Sequence, residues 1–430
     1  MVFLFKGGTL VTSNGKMLQD VRVEEGKIVE IGSDLKVNDG EEVIDCTGKF
    51  ILPGVIDVHV HLREPGGEHK EDFESGTKAA SAGGVTMVLD MPNNSPAVIS
   101  QKALEEKRAL VNDKAQVDYD LYMGATFDPK TGKTNVGEFL KSDAVALKIY
   151  VGSSTGNLLV HQKEALEEIF EKVAEADRLI CVHAEDEALI KEHMAQFEGE
   201  DDPIIHAQIR DDEVAYRAVK LVLHLAKKHG TRLHIAHLST TKELREFEEF
   251  KSDRISCEVT PHHLFLNQLE LREQGNFAKM NPPLRTEEDQ AALMEGLRSG
   301  LVNMVATDHA PHTKEEKEKG YWEAPAGVPG LETMLPLLLD AVNHGELELE
   351  DVVRVTSEEP ARVFELEIGL EKGKAANFTV VDMDLVQTVE NGGSGARYTK
   401  CGWSPFAGHK LKGWPVMTVV KGEIVFGEAD

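Results

Sequence analysis

Along the middle of the chain, short runs of consecutive apolar residues recur. Each is followed by a polar or chemically special residue, and then by a stretch with apolar positions at helical spacing. The apolar runs predict strands over 54–58, 85–89, 119–123, 145–150, 179–182, 233–236, 255–259 and 302–306. Between them, 163–177 and 213–229 read as amphipathic helices, and 331–342 is a long apolar helical run, either core or a surface for a second copy. Strands so uniformly apolar fit burial on both faces. Eight of them alternating with helices predict an α/β fold, a (β/α)8 TIM barrel over residues 53–365.

The two ends follow another pattern. Residues 1–52 and 366–430 alternate apolar and polar positions, with turn signals at Asn14-Gly15 and Glu25-Gly26 and a Gly-rich loop over 391–395. Both read as short antiparallel strands, combined into one small β-sandwich domain beside the barrel. Pro53-Gly54 marks the entry between the two.

Composition narrows the function classes. The 430 residues hold 47 Lys and Arg against 75 Asp and Glu, a formal charge of −28, which argues against nucleic acid or an anionic membrane as partner. No apolar run approaches the roughly 20 residues of a membrane helix, and the start lacks the marks of a leader, so a cytoplasmic protein is expected. Cys46, Cys181, Cys257 and Cys401 lie far apart with no CxxC, which disfavours a disulfide framework or a cysteine metal site. Cys181 and Cys257 read as packing residues inside strands.

The candidate chemistry lies where strands end. Asp57-Val58-His59-Val60-His61 places two histidines at i and i+2, on one side of an extended chain, where they can share a metal. Alone, such a pair arises by chance about as often. His183 closes LICVH, His237 closes the RLHIAH segment, and Asp308 follows MVAT. A lone histidine there is more often structural, but four histidines and an aspartate at one rim point to a metal centre. Lys148 sits inside the apolar run AVALKIYV. An isolated lysine of this kind usually snorkels to solvent. A buried one tends to lose its charge, and a neutral amine takes up carbon dioxide to form a carbamate, which is able to bridge two metals.

HVHLREPG, MPNN, LKIY, VHAED, HIAHLS, KMNPPLR and DHAPHT follow one another in this order. Together they resemble the amidohydrolase superfamily and, within it, the cyclic-amide hydrolases, most closely the dihydroorotases. The resemblance spans essentially the whole chain. It implies a barrel with a two-zinc centre that interconverts dihydroorotate and N-carbamoyl-L-aspartate in pyrimidine synthesis. Carried onto this sequence, it implies His59, His61 and Asp308 on one zinc, His183 and His237 on the other, and Lys148, carbamylated by CO2, bridging both. Manganese or cobalt would suit the same ligands. A common bacterial dihydroorotase branch has an aspartate in the bridging region instead. The lysine places this chain beside hydantoinases and the animal multifunctional enzyme.

The mechanism this implies is attack of a zinc-bridging hydroxide on the ring amide, with Asp308 as proton shuttle. For the substrate carboxylate it implies Arg63, Asn93 and His312, and for the ring Asn281 and the backbone of Ala326 and Gly327. Without the resemblance, Arg63 reads as a surface arginine pairing Glu64 or Glu68, and Ala326-Gly327 as a turn. The polar segment 152–157 is a lid candidate with Thr155 as its substrate contact, or a simple connection. His262 and His263 read as supporting or structural residues. Allantoinase and dihydropyrimidinase or hydantoinase activities are the neighbouring alternatives. A non-catalytic scaffold is the third reading, and the filled ligand positions argue against it. The resemblance also brings a homodimer and aspartate transcarbamoylase association as candidate partnerships.

Overall fold

The computed structural model describes residues 2–154 and 158–427, a mixed α/β fold. No helix among them is long and apolar enough to cross a membrane.

The expected parallel strands are present as Val55–Val60, Val85–Asp90, Asp118–Leu121 with Met123–Gly124, Leu147–Tyr150, Leu179–His183, Arg232–Ile235, Ile255–Val259 and Met304–Val305. They do not form one unbroken ladder. The first three pair in a three-stranded sheet, and the rest, beginning at Met123–Gly124, form a six-stranded one. The two sheets meet at Tyr122, whose N–H donates to Asp90 O at 3.1 Å, while Met123 N–H donates to Ala146 O at 3.1 Å on the other side. At the far seam, Val60 and His309 form an isolated parallel bridge, and His61 N–H donates to His309 O at 2.8 Å. Asp57 ties the same seam, accepting from Thr307 N–H at 3.1 Å and from its hydroxyl at 2.5 Å.

The last strand is shorter than its apolar run predicts because a side chain intervenes. Cys257 N–H donates to Asn303 Oδ1 at 3.1 Å, so regular pairing begins only at Met304. The intervening helices follow their periodicity. Asp212–His229 is capped by the Asp211 carboxylate on Val214 N–H, buries Val214, Ala218, Val222 and Leu225, and stops at Gly230 with φ +71°. Each such buried valine or leucine contributes roughly 1.5–3 kcal/mol, so an aspartate at Val222 would unseat this helix. Within the apolar run over 331–342, the helix Met334–Asn343 turns most of its length into the core.

The ends form two further sheets. One orders Lys27–Gly32, Asp20–Glu24, Val2–Lys6 and Glu42–Asp45; the other joins Phe50–Pro53, Thr9–Thr12 and Gly15–Leu18 to the late strands Phe378–Thr388, Lys410–Val420 and Glu423–Phe426. Phe3, Phe5, Val23, Ile51, Phe378 and Val419 pack in one cluster between them. The expectation of purely antiparallel strands fails twice. Val2–Lys6 pairs parallel to Glu42–Asp45, and Thr9–Thr12 parallel to Phe50–Pro53. More than thirty residues separate each pair, enough for a crossover, whereas the alternation pattern reports a face and not a direction. The turn at Glu25-Gly26 does form, with φ +49° and +77°, the left-handed pair that closes a tight hairpin.

Candidate metal centre

His59, on the strand Val55–Val60, and His61 just beyond it turn their Nε2 atoms to one carboxylate oxygen. Asp308 Oδ1 lies 3.3 Å from His59 Nε2 and 3.0 Å from His61 Nε2. His59, His237 and Asp308 offer ligand atoms all within 4.8 Å of one another, and all three are buried. His183 Nδ1 lies 2.8 Å from His237 Nε2. Two histidine nitrogens so close, beside a cluster of His59, His237 and Asp308, make a group of donor types that could bind a metal ion.

Lys148 is fully buried at the same place, its Nζ 3.4 Å from His59 Nε2 and 3.9 Å from Cys181 Sγ. Among the described residues no carboxylate pairs with this amine within 4.0 Å. A snorkelling lysine is therefore excluded by its burial, and a salt-bridged one by its neighbours.

Three of the four histidines are aimed from behind. Glu258 Oε1 accepts from His59 Nδ1 at 2.5 Å and its Oε2 lies 2.9 Å from His234 Nε2. Asn93 Oδ1 accepts from His61 Nδ1 at 2.7 Å, and Glu185 Oε2 accepts from His183 Nε2 at 2.9 Å. Such partners fix the tautomer, leaving the opposite nitrogen as lone pair. Burial pushes Glu185 up, but the guanidinium of Arg210 and the His183 contact outweigh it and hold the carboxyl down at about 2. Burial likewise lowers His59, His183 and, furthest, His237, keeping the imidazoles neutral as ligation requires. Asp308 stays ionised: burial opposes this, but His59 and His61 hold its carboxyl well below the usual range.

The backbone here is bent into an uncommon region. Arg63, His237 and Asp308 have φ of +61°, +39° and +46°. Left-handed conformations cost a non-glycine residue about 1–3 kcal/mol, and here they sit on site residues.

Beside the cluster, Arg63 is buried and does not pair with Glu64, whose partner is Lys114. Its Nε donates to Pro311 O at 3.2 Å, and its Nη2 lies 3.1 Å from His312 Nε2. Asn281 Oδ1 is buried without a hydrogen-bond partner among the described residues. It borders a cavity of about 240 Å³ also lined by Ser153, Arg210, Lys279, Tyr321 and Ala326. Ala326 O lies 3.1 Å from His312 Nε2. Gly327 has both backbone groups engaged, N–H to Lys279 O at 2.9 Å and O from Lys317 Nζ at 2.9 Å. With φ +140° and Ala310 O only 2.4 Å from where a Cβ would stand, this position requires glycine. Thr155 lies outside the described residues, as does the rest of 155–157.

His263 is structural, with Nδ1 2.8 Å from Thr260 Oγ1 and Nε2 facing Pro282 O at 3.2 Å. The sequence alone does not point to Glu258 or Glu185. Glu258 did carry a signal, the one that exposes Lys148: a charged residue inside an otherwise apolar strand, ISCEV.

Comparison with known proteins places the chain in a family. The amidohydrolase family model matches residues 50–425. Dihydroorotase of Pyrococcus furiosus is 39% identical over 427 residues, covering 97% of this chain and 93% of that one. Dihydroorotase of Pyrococcus abyssi is 41% identical over 416 residues, covering 96% and 92%. Among solved structures, L-hydantoinase (dihydropyrimidinase) from Arthrobacter aurescens superposes with TM-score 0.92 at 30% identity, covering all of this chain and 96% of that one. The chain belongs to the amidohydrolase family and, within it, to the dihydroorotases, which are cyclic-amide hydrolases.

Proposed function

We propose that this chain interconverts dihydroorotate and N-carbamoyl-L-aspartate, a cytoplasmic step of pyrimidine synthesis, at a two-metal centre on the rim of a (β/α)8 barrel. Residues 53–365 would form the barrel, with 1–52 and 366–430 as its smaller β-sandwich companion. The parallel strand order and the Val60–His309 seam support this architecture.

The observation that carries the substrate reading is the buried pair of Arg63 and His312, with Arg63 Nη2 3.1 Å from His312 Nε2. Hydantoin and dihydrouracil offer no carboxylate to such a pair. Dihydroorotate does.

The residues fit a divalent metal pair. His59, His61 and Asp308 would hold one ion and His183 and His237 the other, with Lys148, as its carbamate, between them. The fit rests on the grouped histidine and carboxylate donors and on a buried amine that has no carboxylate partner. Zinc suits such nitrogen and carboxylate donors, and when bound supplies Lewis-acid polarisation of the ring amide and a nucleophile at neutral pH. The chain does the rest. Arg63 and His312 hold the substrate carboxylate, and the unpartnered Asn281 Oδ1 accepts a ring N–H. Asp308 Oδ1 lies among the ligand atoms of His59 and His61, so Oδ2 would carry the proton to the departing ring nitrogen. Water adds across the amide, the C–N bond breaks, and a carboxylate and a ureido group result.

The test is ring opening by metal- and bicarbonate-supplied protein on dihydroorotate, allantoin, dihydrouracil and hydantoin side by side. Preference for dihydroorotate is expected. Preference for another ring would overturn the substrate assignment and leave the metal centre standing.

A further inference from the structure

His312 is surrounded by more donors than a neutral imidazole is able to serve. Its Nδ1 lies 3.1 Å from Lys70 Nζ. Its Nε2 lies 3.1 Å from Arg63 Nη2 and 3.1 Å from Ala326 O. The ring is buried, and the backbone that carries it is held where Trp403 Nε1 donates to His312 O at 2.8 Å.

A neutral imidazole has one N–H and one lone pair, and an ammonium only donates. Each ring nitrogen faces a cation that only donates, Lys70 at Nδ1 and Arg63 at Nε2, but Nε2 alone also has an acceptor within hydrogen-bond reach, Ala326 O at 3.1 Å, which puts the hydrogen on Nε2 and the lone pair on Nδ1. The competing arrangement would place the hydrogen on Nδ1 and direct it at Glu316. That carboxylate is committed elsewhere. Its Oε2 accepts Thr313 N–H at 3.1 Å, as part of the box that caps the helix Lys314–Lys317, and stands 3.7 Å from His312 Nδ1, too far for a hydrogen bond. Its Oε1 holds Lys70 Nζ at 3.0 Å. Doubly protonated imidazole is disfavoured by burial and by the cations around it, Arg63, Lys70 and Lys317.

With the hydrogen on Nε2, where Ala326 O meets it at 3.1 Å, Arg63 Nη2 and His312 Nε2 are two donors side by side, and an anionic oxygen of the substrate would accept from both. We propose that Lys70, anchored by Glu316, is a positioning residue that fixes His312 as its Nε2–H tautomer, so that His312 and Arg63 together present donors to the substrate carboxylate. This rests on the dihydroorotate reading given above.

The experiment is a double-mutant cycle on metal-loaded protein, with Lys70→Met, His312→Ala and the pair, read as KM and kcat for dihydroorotate ring opening. Lys70→Met is expected to raise KM about tenfold, with kcat and metal content little changed, because it removes an interaction with the bound carboxylate. In the His312→Ala background the same change should have almost no further effect, since Lys70 acts through that ring. Glu316→Gln is the second route to the same loss, and it leaves Lys70 in place should Lys70→Met fold poorly. The ¹⁵N resonances of His312, assigned by their disappearance in His312→Ala, should show a protonated Nε2 in the wild type and a tautomer mixture in Lys70→Met. Unchanged KM in both Lys70→Met and Glu316→Gln, or an equal loss with and without His312, would overturn the inference. A wild type that ignores dihydroorotate but opens another ring would overturn the substrate reading, and this inference with it.

Discussion

Glu258 grips two histidines at once: Oε1 holds Nδ1 of His59 at 2.5 Å and Oε2 lies 2.9 Å from Nε2 of His234. Burial works against its charge, and the His59 and His234 contacts keep it ionised all the same, its carboxyl held well below the usual range. A carboxylate so placed raises the basicity of the ring it holds and fixes which nitrogen faces the cluster.

Glu258→Gln keeps the shape and removes the charge. It should weaken metal retention about 10- to 100-fold. Metal content measured after dialysis against graded chelator checks this. Retention equal to wild type would reduce Glu258 to a packing residue.

Much of the site was legible because its residues announce themselves against an apolar background. His59 and His61 stand at i and i+2, and Asp308 and His183 follow runs that only a buried strand explains. The supporting residues were not legible in the same way. Asn93 meets His61 from 32 positions away and Glu258 meets His59 from 199 away, and no periodicity encodes such a meeting. The strands at the ends show a related limit. Alternation told which face of Thr9–Thr12 is buried but not that it pairs parallel to Phe50–Pro53, because direction is set by the partner.

Lys148→Ala should lower metal content and abolish turnover, and a short carboxylic acid supplied in solution should partly restore both. Carbon-13 bicarbonate should give a carbamate resonance in wild type that the variant lacks. Full activity in Lys148→Ala would sink the bridging assignment.

Asp308→Asn should remove turnover by about three orders of magnitude or more, while some metal remains on the histidines, because the proton carrier is lost along with one ligand. The ratio of activity to bound metal is the measurement. A variant whose activity falls only in step with its metal would deny Asp308 the proton role.

Lys279 gives a pH signature away from the metals. Burial pushes its amine down to about 8 from 10.5, although the nitrogen donates to Tyr321 O at 2.6 Å and Ala324 O at 2.7 Å. Between pH 8 and 10.5 the unfolded chain keeps a proton that the folded chain has released, so this lysine makes stability rise with pH across that window and adds no slope below it. Lys279→Met should lose that rise, as read from denaturant midpoints at pH 8, 9 and 10. Parallel pH profiles for the two proteins would refute the shift.

The contact between His61 and Asp308 spans 247 positions, and it lies at the seam where the first and last parallel strands meet. During synthesis, then, the chain has no complete centre until nearly all its strands have been made and docked. Closing so long a loop is among the latest and slowest events available to a folding chain. A chain that ends before Met304–Val305 has all four histidines but not Asp308, so it lacks the carboxylate of the cluster and the backbone contact that closes the seam.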